Sequence, residues 1–114
     1  MKGRHRVREM VLSWLYAAEV EAGAPEEILK AHLTDDYLDE KEKEFARALF
    51  EKTFANREKL DGEIEPKLKN WKLSRIALLD RIIMRMALAE WHFFPDIPEK
   101  VSIDEAVELA KKFS

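Results

Sequence analysis

Residues 75–93 read RIALLDRIIMRMALAEWHF, and this stretch decides the fold. Ile76, Leu78, Leu79, Ile82, Ile83, Met86, Ala87 and Leu88 recur at helical spacing and cover most of the circumference. A helix that apolar must be buried by neighbours on several faces, so it is the central helix of the fold. Ser74 before it has the form of an N-cap, with Leu73 and Leu78 placed as a hydrophobic staple, and Pro95 and Pro98 end it. Asp80, Arg81 and Arg85 interrupt the apolar surface. Two readings of them stay open. They form half-buried ion pairs with neighbouring helices, Arg85 with Glu105 for example, or Asp80 and Met84 lie on a stripe that a partner protein covers.

Working outward, every long segment reads as helix. Downstream, Ser102 with Glu105 has the form of a capping box, and Ala106, Leu109, Ala110 and Phe113 are expected to face inward. Lys111 and Lys112 complement the C-terminal end of the helix dipole. Upstream, Gly62 to Asn70 is a turn or brief helix containing Pro66 and carrying Ile64 and Leu68. Before it, Asp39 with Glu42 opens a long helix that buries Phe45, Leu49, Thr53 and Phe54 and reaches about Leu60. Thr34–Asp36 is a loop. Pro25 opens a short helix from Glu26 to His32, in the first-turn position proline tolerates. The first helix runs from about Arg4 to Glu21 and ends at Gly23, with Val7, Met10, Val11, Trp14 and Ala18 as its apolar stripe. No strand pattern competes. The expectation is one all-α domain over residues 1–114, a compact bundle of five to seven helices.

Charge is unevenly placed. Lys2, Arg4, Arg6 and Arg8 stand in the first eight residues with no acid among them, while the rest carries 16 Lys+Arg against 23 Asp+Glu, a net of −7. A basic arm on an acidic body suits a polyanion, with RNA the first candidate, against the plain alternative of a solvated N-terminus. Tyr16 is either a stacking platform for unpaired bases beside the arm or packs with Leu12 and Leu15. No phosphate-cradling glycine loop, nucleophile elbow or HExxH is present, so no catalytic residue is assigned. His5, His32 and His92 lie far apart without metal-ligand spacing, and Asp35–Asp36 and Asp39–Glu44 read as solvated carboxylates, so neither a metal nor a cofactor is expected. Zero cysteines agrees with a cytoplasmic protein, and no apolar run approaches a membrane span.

The residues resemble a known family. Leu79–Glu90, LDRIIMRMALAE, is similar to the NusB pattern of an acid, a basic residue and ILR-x-A-x-x-E. Ile97–Phe113, IPEKVSIDEAVELAKKF, is close to that family's IP-x-x-V-x-INEAVELAK-x-F, and Arg8-Glu9, Leu15-Tyr16, Leu60-Asp61 and Leu68–Trp71 fit in order. The resemblance implies a bacterial transcription antitermination factor without catalysis. Its fold would be two small helical subdomains around the central helix, 1–61 and 62–114. It would bind boxA-type single-stranded RNA together with ribosomal protein NusE, within the transcription elongation complex. The resemblance carries the arginine-rich motif to Arg4, His5, Arg6 and Arg8, the family tyrosine to Tyr16 and an acidic partner position to Asp80; the charge run adds Lys2 to the expected RNA contacts, and the stripe on the central helix adds Met84 to the expected partner contacts.

Three departures from the family pattern carry expectations. His5 stands where arginine is common, so RNA affinity would rise below about pH 6.5. Ala89 replaces an aromatic before Glu90, removing a packing or partner contact. The family pattern continues past Ser114 with a further helix. Its absence would leave an apolar groove along the two C-terminal helices, in a truncated chain or one that self-associates through the groove. Two rivals to the adaptor reading are an RNA-docking module of an RNA cytosine methyltransferase and a family member that binds only protein. For the adaptor, an arm neutralising four phosphates predicts a log–log salt slope of about −3 on single-stranded RNA.

Overall fold

The computed structural model describes residues 2–21, 24–33 and 38–114, the side chain of Lys2 excepted. Gly23 as the stop of the first helix, the loop Thr34–Asp36 and the paired Asp35–Asp36 lie outside them. Six α-helices occur among the described residues: α1 Lys2–Val20, α2 Pro25–His32, α3 Glu40–Ala55, α4 Arg57–Ile64, α5 Leu78–Phe93 and α6 Glu99–Phe113. Short 3-10 turns cover Glu65–Lys67 and Leu73–Arg75. The fold is all-α. The chain divides into two compact units, 1–51 and 52–114. In the second unit α4 packs on α5.

In the first unit, the stripe of α1 is buried as its spacing requires. Val7, Val11, Leu12, Trp14, Leu15 and Ala18 join Leu29 of α2, Leu33 just after it, and Phe45, Ala46, Leu49 and Phe50 of α3 in the core. Trp14 stacks on His32 at 5.6 Å between ring centroids and meets the Phe50 ring edge-on at 6.4 Å. The start of α3 is the reciprocal box that its residues predict. The Asp39 amide donates to Glu42 Oε1 at 3.0 Å, and the Glu42 amide donates to Asp39 Oδ1 at 2.8 Å. Two amide donors that no helical carbonyl can reach are satisfied in this way.

The second unit corrects several expected boundaries. The long helix stops at Ala55 rather than Leu60, and a new helix starts at Arg57. Asn56 makes the break: its backbone leaves the helical region (φ −106°, ψ 15°), while its side-chain amide donates to the Lys52 carbonyl at 2.8 Å. A side chain that caps its own helix in this way competes with continuation of the backbone ladder. The central helix α5 begins at Leu78, and Ser74 is not its cap, because Ile76 and Ala77 are extended (ψ 137° and 143°) and Ser74 sits in the preceding 3-10 turn. Likewise α6 starts at Glu99, where extended Pro98 accepts from the amides of Val101 and Ser102. Ser102 therefore lies one turn inside the helix and is buried. Its hydroxyl donates to Glu90 Oε1 at 2.7 Å, so it is a partner of α5 and not a capping box with Glu105.

Around α5 the apolar residues Ile82, Ile83, Met86 and Ala89 are buried with Leu60 and Ile64 of α4 and Leu109 of α6. Each fully buried aliphatic side chain of this size contributes about 1.5–3 kcal/mol. Ala89, where the family pattern has an aromatic, is fully enclosed. Arg85 is buried on the same helix, and its Nε and Nη2 donate to the two carboxylate oxygens of Asp61 at 2.7 and 2.8 Å. Asp61, in α4, is thus an ion-pair partner of Arg85 that spacing along the sequence does not reveal.

Two substitutions test this packing by urea denaturation. Asp61→Ala leaves a buried guanidinium without its two-point acceptor and costs about 2–4 kcal/mol. A cost under about 0.5 kcal/mol would show that the pair does not hold α4 on α5. Thr53 is buried and its hydroxyl has no hydrogen-bond partner. Thr53→Val removes that unsatisfied oxygen and leaves stability unchanged or raised by up to about 1 kcal/mol.

Candidate nucleic-acid and partner surfaces

Because α1 begins at Lys2, the arginines of the arm sit on helix turns and not on a free tail. Arg4 and Arg8 are four apart and share one side of α1. Both reach Phe45 of α3, their guanidinium carbons 4.5 and 5.4 Å from the ring centroid. Arg8 is only 3% exposed. Its position was legible: Arg8, Leu12 and Leu15 repeat at helical spacing, and the two leucines are core. A guanidinium packed on an aromatic face keeps its charge while its stem covers apolar surface.

Arg6 points elsewhere. Its side chain is 52% exposed, and Nη2 lies 3.7 Å from Glu42 Oε1, the same oxygen that caps Asp39. Gly3 permits that approach: a Cβ at Gly3 would stand 2.5 Å from Glu42 Oε2. His5 Nε2 lies 3.0 Å from Glu9 Oε2, one turn on. Tyr16 is 41% exposed, whereas Leu12 and Leu15 are buried. Arg6, Glu9, Ser13 and Tyr16 follow one another at spacings of three and four, so they form a single outward stripe on α1. Arg6 and Tyr16 are about 15 Å apart along its axis. The structure thus sets Arg6 and Tyr16 on one solvent-facing stripe that includes Glu9, with His5 paired to Glu9, keeps Arg4 exposed beside Phe45, and separates Arg8 from them. The part played by Phe45 and Glu42 was missed in the sequence, because it arises from the approach of α3 to α1.

Asp80 and Met84 belong to the second unit. Asp80 is half-buried in the first turn of α5, and Met84, one turn further, is half-buried at the edge of a groove. That groove has a volume of about 770 Å³ and is lined by residues including Ile64, Leu68, Met84, Leu88, Trp91 and Val107. Trp91 is 41% exposed in it. His92, at its rim, is hydrogen-bonded to Glu63 at 2.7 Å. An apolar groove along the two C-terminal helices is therefore present. Among the described residues no cluster of His, Cys, Asp and Glu could hold a metal ion, and no helix is long and apolar enough to cross a membrane.

Comparison with known proteins agrees with the fold and the order of motifs. The model of the NusB family matches residues 5–114. A transcription antitermination protein NusB from Trichlorobacter lovleyi is 42% identical over 110 residues, covering 96% of this chain and 78% of that protein. One from Salinibacter ruber is 42% identical over 116 residues, covering 100% of this chain and 72% of that protein. Among solved structures, T. maritima NusB is similar with a TM-score of 0.88 at 37% identity, over 97% of this chain and 78% of that one.

The two kinds of arginine in the arm separate in a stability measurement. Arg8→Ala removes a buried stem and its contact with Phe45 and costs about 1–3 kcal/mol. Arg6→Ala, at an exposed pair, changes stability by less than about 1 kcal/mol. Equal effects in thermal or urea unfolding would contradict the division of the arm into buried and exposed cations.

Proposed function

The chain belongs to the NusB family, and from that premise we propose that it is an RNA-binding transcription antitermination adaptor of the cytoplasm that performs no catalysis. Its ligand is a boxA-type single-stranded RNA, taken together with ribosomal protein NusE in the transcription elongation complex. The observation that carries this reading is the outward stripe of α1, where an exposed arginine and an exposed tyrosine share one face at the end of an otherwise acidic chain. Relatives matched over most of their own length carry the antitermination name, which favours the adaptor over a methyltransferase docking module.

The arm's residues divide the work. Lys2, Arg4 and Arg6 contact phosphates, and a phosphate takes the place of Glu42 against Arg6. His5 adds charge when protonated. Tyr16 offers its ring to an unpaired base, a use open to any base and therefore modest in sequence choice. Arg8 acts from beneath: packed on Phe45, it holds the first turns of α1 in place and leaves the contacts to its neighbours. Asp80 and Met84 of α5 meet the protein partner, Asp80 by charge and Met84 by apolar contact at the groove edge.

This division changes the salt dependence. Three phosphate-contacting cations contribute about −2 to the log–log slope of RNA affinity against salt, where four would contribute about −3. The double variant Arg4→Ala/Arg6→Ala flattens the slope by about 1.4. Tyr16→Ala weakens binding about 5- to 100-fold with the slope unchanged, because stacking displaces no counterions. Fluorescence anisotropy of a labelled boxA-type RNA across a salt series reads both. An unaltered slope in the arginine variant would place the RNA elsewhere on the protein.

A further inference from the structure

The α1 arm is not the chain's only basic stretch. From Pro66 to Leu79 stand Lys67, Lys69, Lys72 and Arg75 with no acidic residue between them. In the middle, Trp71 is 63% exposed, the highest value for a large apolar side chain among the described residues. An indole left in water forfeits the burial that normally stabilises it and leaves a large ring available for stacking.

The backbone holds it out. Asn70 takes a left-handed conformation (φ 64°), which asparagine tolerates better than other side-chain-bearing residues. Leu68 before it and Lys72 after it are extended. The far side of the turn is pinned: Leu73 is buried, and its amide donates to Glu65 Oε2 at 3.0 Å. Glu65, the acid on this turn, is thereby engaged by the backbone. Asn70, Trp71, Lys72 and Arg75 line a hollow of about 420 Å³.

We propose that this turn is a second contact site for single-stranded RNA. Trp71 stacks on an unpaired base, Asn70 offers its amide to the base edge, and Lys69, Lys72 and Arg75 hold the flanking phosphates. The proposal rests on the RNA-binding reading above but uses none of the α1 residues. Lysine is depleted at protein–protein interfaces, whereas unopposed cations around an aromatic ring suit a polyanion with exposed bases. Duplex RNA does not serve, because its stacked bases present no free face to the indole.

The test uses the full chain and a labelled, unstructured RNA of mixed sequence, with a hairpin duplex of the same length as control. Trp71→Ala weakens single-strand binding about 5- to 100-fold. Trp71→Phe, which keeps a ring, restores most of it, and Trp91→Phe changes nothing. Lys69→Ala/Lys72→Ala flattens the salt slope by about 1.4. Trp71 is exposed, so circular dichroism of each variant matches the parent. If Trp71→Ala and the lysine variant bind as the parent does while Arg4→Ala/Arg6→Ala loses affinity, this site is overturned and the RNA reading stands. If the parent binds no RNA, both fall. Loss of a protein partner with Trp71→Ala, at unchanged RNA affinity, assigns the turn to protein and overturns the proposal.

Discussion

A guanidinium buried in an apolar helix has to be met by a carboxylate, and the second unit is organised around that requirement. Asp61 meets Arg85 at two points, and that pair fixes where α4 lies along α5. One turn and a residue later, Glu90 is buried on the same helix and accepts from Ser102, which fixes α6 in the same way. Apolar contact between helices is permissive in register, whereas directional bonds from a low-dielectric interior are not. With both neighbours located, the chain from α4 to α5 must turn outside the core. Glu65 and Leu73 close that turn and leave Trp71 in solvent.

The same reasoning orders the first unit. Four cations at the start of α1 cannot all face water on a helix whose other face is core. Arg8 falls on the buried row and is accommodated by Phe45; Arg4 reaches the same ring from the turn before; Arg6 falls on the outer row. A basic arm thus has a packed side and an outward side, and helical spacing decides which residue falls on which.

Much of this was legible in the chain. The all-α class, the central helix, the Pro25 helix start and the Asp39–Glu42 box depend on local pattern, and local pattern predicted them. The failures are instructive. Ser102 and Glu105 have capping-box spacing, but the helix had already begun at Glu99, and only the depth of Glu90 in the neighbouring helix explains why a serine is there. Asn56 breaks a run whose apolar spacing continues undisturbed, so periodicity alone passed over it. The burial of Arg8 could have been read from its spacing to Leu12 and Leu15. The contacts of Glu42 and Phe45 with the arm could not, since they join residues more than thirty positions apart. Trp71 was noticed only as part of a family motif, and its exposure needed the geometry of Asn70.

The central claim is that this chain reads a specific single-stranded RNA in company with a protein partner. The most direct measurement is the anisotropy of a labelled boxA-type RNA with this protein, alone and with NusE, against a scrambled RNA of the same composition. The account predicts tighter binding to the boxA-type RNA than to the scrambled one, and a further gain when NusE is present. Equal, weak binding to both RNAs, unchanged by NusE, would contradict it.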